Sequence, residues 1–365
     1  MRQTSKKNNM EIGERFFSES LTFTYLDPFN NFRSKEMSLE IRKDPVTAVT
    51  TRILPYRLRS YESPSIDRYL RLSPADKCPF CPPQRDKMTP RFPKEIVPEG
   101  QFKRGDVTLF PNAFPHSNHN TVAVLGNCHY LGMDEIAPSL MADGMLVCRD
   151  YMARMASLDA SLQYASINWN YMPPAGGGLL HPHLQTVLAD KPTMFMERLL
   201  NSATQYGRET GRDLWEDYFE WEKAQEERYV SGTGVLKWLV AFAPRGMAGE
   251  IAFYFPRRWS ILALTDEELR IFCEELKTVF GYLTSINLAS FNLAVYGTIQ
   301  EEKLFPVQGR IIPRFLIQPL ETSDVNYFEK LHGEIICPFV PEDMARRLKA
   351  FWKRGQAAFL GGWEK

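Results

Sequence analysis

Read for its apolar positions, the chain shows two stretches of short strands, each interrupted by one long helical run. From residue 107 to 188, VTLF and NTVAVLG have strand spacing, and a 3.6-residue period from about Met133 to Ser157 predicts a helix opened by Asp134 and Glu135. YASINWN and HPHLQTVL then return to strand spacing. Further on, LVAFAP, EIAFYFP, a helix from about Thr265 to Ser285 opened by Thr265-Asp-Glu-Glu, FNLAVYG and RIIPRFLIQPL repeat the same order. Between the two stretches, RDLWEDYFEWEKAQEERYV has the spacing of an amphipathic helix. Laid one above the other, FPNAF near residue 110 falls on FAPRG near 242, and HPHLQ near 183 falls on PRFLI near 315, at one constant offset. This pattern predicts a duplicated unit that kept its histidines in the first copy only.

Upstream, LEIRKDPVTAVTTRILPYRLRS after Ser38 reads as a strand, a turn at Asp44-Pro45 and a second strand. Residues 1–36 are polar, punctuated by aromatics and without clear period. The expected organisation is therefore an extension over 1–36, a first unit over 37–190 and a second over 191–365.

Composition narrows the possibilities. With 44 basic and 44 acidic residues, the chain has no net charge to favour nucleic acid or an anionic membrane. No apolar run approaches the roughly 20 residues of a membrane helix, and the first residues lack the apolar core of a signal peptide. A cytoplasmic protein is expected. Six cysteines are too few for a disulfide scaffold in 365 residues. Two of them form Cys78-Pro-Phe-Cys81, and a CxxC in a reducing compartment is a metal knuckle, a redox pair or idle. Pro79, Pro82 and Pro83 disfavour the helix that a redox motif opens, which favours metal. Cys128, Cys148, Cys273 and Cys337 sit in apolar surroundings and read as small core residues.

Zinc takes sulfur and imidazole in a tetrahedral set, and the knuckle supplies half of one. Of the six histidines, His129 and His181 come from neighbouring elements of the first unit and could meet the knuckle. His116 and His119 lie in the polar loop PHSNHN, and His332 stands alone as a structural or surface residue.

The segment GGGLLHPHLQ carries the chemistry. Strand alternation puts His181, His183 and Gln185 on one face, and the preceding glycines let a phosphate or sugar approach the main chain. If His181 binds metal, His183 is left as a neutral imidazole about 6 to 7 Å along the strand, suited to attack an activated phosphorus. The competing assignment puts both histidines on one metal, as in a hydrolase. Gln185 cannot protonate a leaving group and can only donate hydrogen bonds to phosphoryl oxygens. That suits a leaving group that is already a phosphate.

In these residues the chain resembles the galactose-1-phosphate uridylyltransferase branch of the histidine-triad superfamily. The likeness rests on CPFCP, RKDPVT with ILPYR, FPNAF, and Asn170 in the strand leading to HPH-x-Q. It continues through WLVAFAP, the second long helix and VNYFEKL…PEDMARRL, covering most of residues 38–350. The resemblance implies an α+β fold of two histidine-triad-like units, each an antiparallel sheet with a long helix, paired as a homodimer. It implies that His183 carries a nucleotidyl group, here UMP, between a nucleotide sugar and a sugar 1-phosphate, and that Gln185 binds its phosphate. Cys78, Cys81, His129 and His181 would hold a structural zinc. Asn170 would orient the active strand, Gly177 and Gly178 would face the substrate, and Arg57 and Asn112 would lie near phosphate or nucleotide. The chain departs from the family at Leu184, where glycine is usual, at Gly177-Gly178-Leu179-Leu180, and in FNLAVYGTIQ and RIIPRFLIQPL, which lack the family's histidine-rich second metal site and sugar-binding end. HPHLQ is also similar to the diadenosine-tetraphosphate phosphorylase branch, so a phosphorylase or adenylyltransferase acting on an ADP-sugar or a dinucleoside polyphosphate is the alternative activity. A hydrolase and an inactive zinc-binding scaffold are the alternatives of other classes.

Overall fold

A computed structural model describes residues 12–58, 60–62, 65–232 and 234–361. The first part of the expected extension, residues 1–11, lies outside these. Strands β1 (Ser18–Asp27) and β2 (Arg33–Lys43) form a long hairpin. After β3 (Thr50–Ile53), β4 (Tyr61–Glu62) and α1 (Ile66–Leu72) lead to the cysteine knuckle and α2 (Gln84–Met88). Next come β5 (Phe102–Arg104), β6 (Val107–Pro111), β7 (His119–Val124), α3 (Pro138–Leu158), β8 (Tyr164–Tyr171) and β9 (His183–Ala189). Helices α4 (Met194–Thr210) and α5 (Leu214–Gln225) connect to β10 (Tyr229–Gly232), β11 (Lys237–Val240) and β12 (Ile251–Tyr254). Helix α6 (Asp266–Ser285), β13 (Phe291–Thr298) and β14 (Gln308–Pro313) follow. The chain closes with β15 (Leu316–Ile317), β16 (Thr322–Ser323), β17 (Ile335–Cys337) and α7 (Pro341–Gly361). The mixed α+β class is as expected.

Ten strands form one antiparallel sheet in the order β10-β11-β12-β14-β13-β8-β9-β7-β6-β5. Counted outward from the central β8–β13 pair, the two halves have the same strand order, and each places its long helix between its third and fourth strands in sequence. The ladders fix the correspondence. His183 pairs with Val124 at the end of β7, and Gln308 pairs with Tyr254 at the end of β12. The next bonds also match, Leu125 N–H to the Pro182 carbonyl at 2.9 Å and Phe255 N–H to the Val307 carbonyl at 2.8 Å. HPHLQ therefore lies over PVQGR, with His183 on Gln308 and Gln185 on Arg310. The expected constant offset onto PRFLI does not hold. Met172–Pro182 joins β8 to β9, whereas the shorter Ile299–Val307 joins β13 to β14.

One face of this sheet packs on α3 and α6, which also pack on each other, around a core that includes Leu109, Ala123, Leu184, Trp169, Trp238, Phe253, Phe272 and Phe291. Helix α6 begins where the sequence places it, because Thr265 and Glu268 form a reciprocal capping box. Helix α3 begins later than expected, at Pro138. Asp134 and Glu135 sit in a turn instead, where the Glu135 carboxylate accepts the Gly132 N–H at 2.8 Å. Gly144 on α3 has no room for a side chain, since a Cβ there would stand 2.5 Å from Leu125 and 3.1 Å from Leu184. The helix thus closes directly on the strand that carries His183.

The opposite face is covered in two different ways. Over β6 and β7 lies the knuckle, with Cys78, Phe80 and Cys81 against Phe110, Val122 and Val124. Over β11 and β12 lie α4 and α5, whose Met196, Leu199, Tyr206, Trp215, Tyr218 and Phe219 pack on Leu239, Ala252 and Tyr254. The sequence reading places no helix over α4, although Met196, Leu199, Ala203 and Tyr206 recur at helical spacing and Thr193 caps it. Between the two covers a strip of the sheet is left open, carrying Gln185, Asn168, Asn170 and Asn292.

Candidate active site and metal centre

Four donors from three separate segments converge beside β9. Cys78, Cys81, His129 and His181 place one ligand atom each within 4.8 Å of one another. The Cys81 sulfur lies 3.3 Å from His129 Nδ1 and 3.4 Å from His181 Nδ1. Those spacings match the edge of a tetrahedron around zinc, about 3.5 Å for its usual sulfur and nitrogen bond lengths. The other ring nitrogens are tied to backbone. His129 Nε2 donates to the Ser73 carbonyl at 2.6 Å and His181 Nε2 to the Gly126 carbonyl at 3.2 Å. Each proton is thereby placed on Nε2, and Nδ1 is left as the ligand. Burial, reinforced by the adjacent Cys78, pushes the Cys81 thiol up to about 12, and burial pushes His181 down to about 4. A dication reverses that balance for the sulfur and leaves the imidazole neutral, as ligation needs. The donor set fits a structural metal.

His181 precedes β9 in a bend and is fully buried, so it turns into the metal cluster and does not continue the strand face. His183 opens the strand. Its Nδ1 donates to the His181 carbonyl at 2.9 Å, which leaves the Nε2 lone pair free. Burial holds its pKa below the ordinary imidazole value, with the carbonyl bond opposing, so the ring is neutral near pH 7. Phe80, between the two knuckle cysteines, meets the His183 ring edge-on at 5.2 Å. The His183 ring is thus fixed by the segment that carries the two cysteines.

Around it, Gln185 stands half-exposed on the same face, opposite Asn168 in the ladder. Asn168 donates to the Ser166 hydroxyl at 2.9 Å and, at 3.4 Å, to the Gln185 carbonyl. Asn112, at the end of β6, donates to the Asn120 side chain at 2.7 Å, and Asn120 donates to the Thr186 carbonyl at 2.8 Å, which ties this loop to β9. Asn170 accepts from Asn292 at 2.8 Å across the central strand pair. The glycine loop is specific in its demands. Gly176 adopts φ +80°, and a Cβ on Gly177 would meet the Asn170 carbonyl at 2.9 Å, whereas Gly178 faces open space. Arg57 is exposed on the 3-10 turn Pro55–Arg57 beyond β3, on the four-stranded sheet and not on the ten-stranded one. Leu184 is buried in the core on the opposite face, so this departure from the family pattern does not touch the open strip.

Sequence reasoning missed the second half's contribution. Asn292 donates to both Asn170 and the Ala175 carbonyl at 2.8 Å, and its own oxygen accepts from Arg314 at 2.8 Å. Arg314 is held in turn by Asp324 through two bonds of 2.7 and 2.6 Å. The polar positions in SINWNY and FNLAVYG alternate, which places Asn168 with Asn170 and sets Asn292 on one face, but only the β8–β13 register brings them together. Cys128, expected in the core, is exposed beside His129. Cys148, Cys273 and Cys337 are buried as expected.

No protein-family model matches the chain. It is 30% identical over 325 residues to an uncharacterized protein of Archaeoglobus fulgidus, spanning 87% of this chain and 94% of that one. The chain belongs to the family of that archaeal protein. Among solved structures it is similar to an ADP-glucose phosphorylase from Arabidopsis thaliana with bound ADP-glucose, at TM-score 0.64 and 18% identity over 86% of this chain and 98% of that one. A GalT-like protein from Arabidopsis thaliana gives TM-score 0.62 and 18% identity over 85% and 98%. A uridylyltransferase gives 0.61 and 20% over 86% and 98%. At these identities the likeness is one of fold, and the fold is that of the galactose-1-phosphate uridylyltransferase-like branch of the histidine-triad superfamily. Among the described residues no helix is long and apolar enough to cross a membrane.

Proposed function

We propose that the protein is a nucleotidyltransferase that moves a nucleoside monophosphate, UMP in the first reading, from a nucleotide sugar to a sugar 1-phosphate through a covalent His183 intermediate. The observation that carries this is the His183 ring, held by its Nδ1–H on the His181 carbonyl with Nε2 free, beside a metal cluster and one step along the strand face from Gln185. In the first step the Nε2 lone pair attacks the α-phosphorus. The bond from phosphorus to the bridging oxygen breaks, and the sugar 1-phosphate leaves with that electron pair. A phosphate leaving group needs no proton donor, which is why an amide at Gln185 suffices to stabilise the phosphoryl oxygens. The Nδ1–H bond to the carbonyl stabilises the positive imidazole that forms. In the second step an oxygen of the acceptor phosphate attacks phosphorus, and the N–P pair returns to Nε2.

Zinc held by Cys78, Cys81, His129 and His181 would supply structure, fixing the knuckle and thereby Phe80 against His183. Asn170, Gly177 and Gly178 would line the phosphate approach, with Asn112 at its rim and Arg57 farther out. We infer also that the two halves descend from one histidine-triad-like unit. Gln308 donates to the Pro306 carbonyl at 3.3 Å, two residues back, as His183 does to His181.

The second reading is an ADP-sugar phosphorylase, favoured by the similarity to the phosphorylase solved with ADP-glucose. In it the acceptor is inorganic phosphate and the product is ADP. Isotope exchange tests both. Labelled sugar 1-phosphate should enter UDP-sugar or ADP-sugar in the absence of any other acceptor, and the base that supports exchange names the nucleotide. Added phosphate yielding nucleoside diphosphate selects the phosphorylase. Free nucleoside monophosphate without exchange would reject both in favour of hydrolysis.

A further inference from the structure

The amides that join the two halves run in one direction only. Arg314 has N–H donors and no acceptor, so its Nη1 bond of 2.8 Å requires the oxygen of Asn292. The Ala175 carbonyl can only accept, so its bond of 2.8 Å requires the Asn292 NH2 group. That group also faces Asn170 at 2.8 Å, and the Asn170 atom that meets it is therefore the oxygen. The orientation follows from partners whose chemistry leaves no second choice, and the Asn170 NH2 group becomes the outer end of the relay. Asn170 is exposed, and among the described residues its NH2 group has no hydrogen-bond partner. The β8–β9 register, carried two residues on from the Asn168–Gln185 pair, sets Asn170 opposite His183.

The inner end of the relay is anchored away from the strip. Asp324 is 3% exposed and takes Nε–H and Nη2–H of Arg314 in a two-pronged pair at 2.7 and 2.6 Å. Its Oδ2 also accepts the Phe315 N–H at 3.4 Å. The guanidinium plane is thereby fixed, with Nη1 aimed at Asn292. The Ala175 carbonyl belongs to the glycine loop, which this same amide holds, so the fixed reference for Asn292 is Arg314. We propose that Arg314, held by Asp324, is a positioning residue that sets the polarity of the Asn292–Asn170 relay and so presents the Asn170 NH2 group to a phosphoryl oxygen of the nucleotide bound beside His183. This rests on the reading that a nucleotide's phosphate lies on the open strip, and not on the covalent route.

Isothermal titration calorimetry of the full chain with UDP-glucose and ADP-glucose tests it, in a His183→Asn background where the imidazole cannot attack. Melting temperature and metal content check that the variants are folded. Asn170→Ala should raise the dissociation constant about 10-fold. Arg314→Met should raise it about 5- to 10-fold, but by less than about 2-fold further once Asn170 is already alanine. Arg314→Lys, which also can only donate, should recover most of the loss. Where Arg314→Met alone melts early, its combination with Asp324→Leu leaves no buried carboxylate unpaired and should repeat the pattern. Losses that add in full, an Arg314→Met variant that binds as its parent does, or a lysine no better than methionine would overturn the proposal. Binding that follows the relay in a protein without sugar 1-phosphate exchange would support Arg314 and reject the His183 route, whereas a chain that binds neither nucleotide sugar would reject both.

Discussion

The two halves of the ten-stranded sheet carry the same strand order around α3 and α6, yet at matching positions one holds His183 and Gln185 and the other Gln308 and Arg310. In the first half the cover is a knuckle whose two cysteines converge with His129 and His181, which touches His183 through Phe80 and leaves the strip beside Gln185 open. In the second, the apolar sides of two amphipathic helices close over the face. Gln308 is fully buried there, and Arg310 is buried against Glu250 at 3.5 Å and over the Tyr254 ring at 5.4 Å. The difference teaches that strand position alone does not make the site. A small cover gathered around four Cys and His donors fixes an imidazole without burying its surroundings, whereas a helical cover must exclude water to stabilise itself.

The largest effect that should sharpen this contrast is loss of the His183 imidazole. His183→Asn should lower transfer by about 10³-fold or more with the melting curve unchanged, as measured by initial rates. Gln308→His, the reciprocal change, should restore none of it, because α4 and α5 cover that position. Next comes the cover. Cys81→Ser should remove the metal and lower the melting temperature by about 5 to 10 °C. A strong chelator should do the same to the wild-type and nothing further to the variant, read by calorimetry and metal analysis. A smaller effect is expected where the halves meet. Asn292→Ala removes two bonds of 2.8 Å to Asn170 and Ala175 and should lower kcat/KM about 5- to 30-fold at unchanged metal content. Smallest of all, Gln308→Leu deletes an amide whose oxygen is buried without a partner, and stability should move by no more than about 1 kcal/mol in denaturant titrations.

How far these features could be read from the sequence depends on how local they are. Strand alternation in NTVAVLG, YASINWN and FNLAVYG, and the Thr265…Glu268 box, are local signals, and the elements lie where these place them to within two residues. The convergence of Cys78, Cys81, His129 and His181 was legible because a chain with one CxxC and six histidines leaves few sets to choose from. After Ser38 the second strand of the hairpin was read, but its start, its partner Ser18–Asp27 and their pairing were missed although Leu21, Phe23 and Tyr25 alternate, because no turn signal of the usual Asn-Gly kind separates the strands. The match of His183 with Gln308 could not be read at all. It depends on connection lengths that only the ladders reveal. Asn292 lay hidden for the same reason, since its partner Asn170 is remote in sequence and joined to it by register alone.

The central claim, that His183 carries the nucleotidyl group, is tested most directly by intact-protein mass spectrometry after brief mixing with UDP-, ADP- and GDP-sugars and no acceptor. The account predicts a mass gain of one nucleoside monophosphate, absent in His183→Asn and discharged by sugar 1-phosphate or phosphate. Metal-loaded protein that turns a nucleotide sugar over without ever showing that adduct would contradict it.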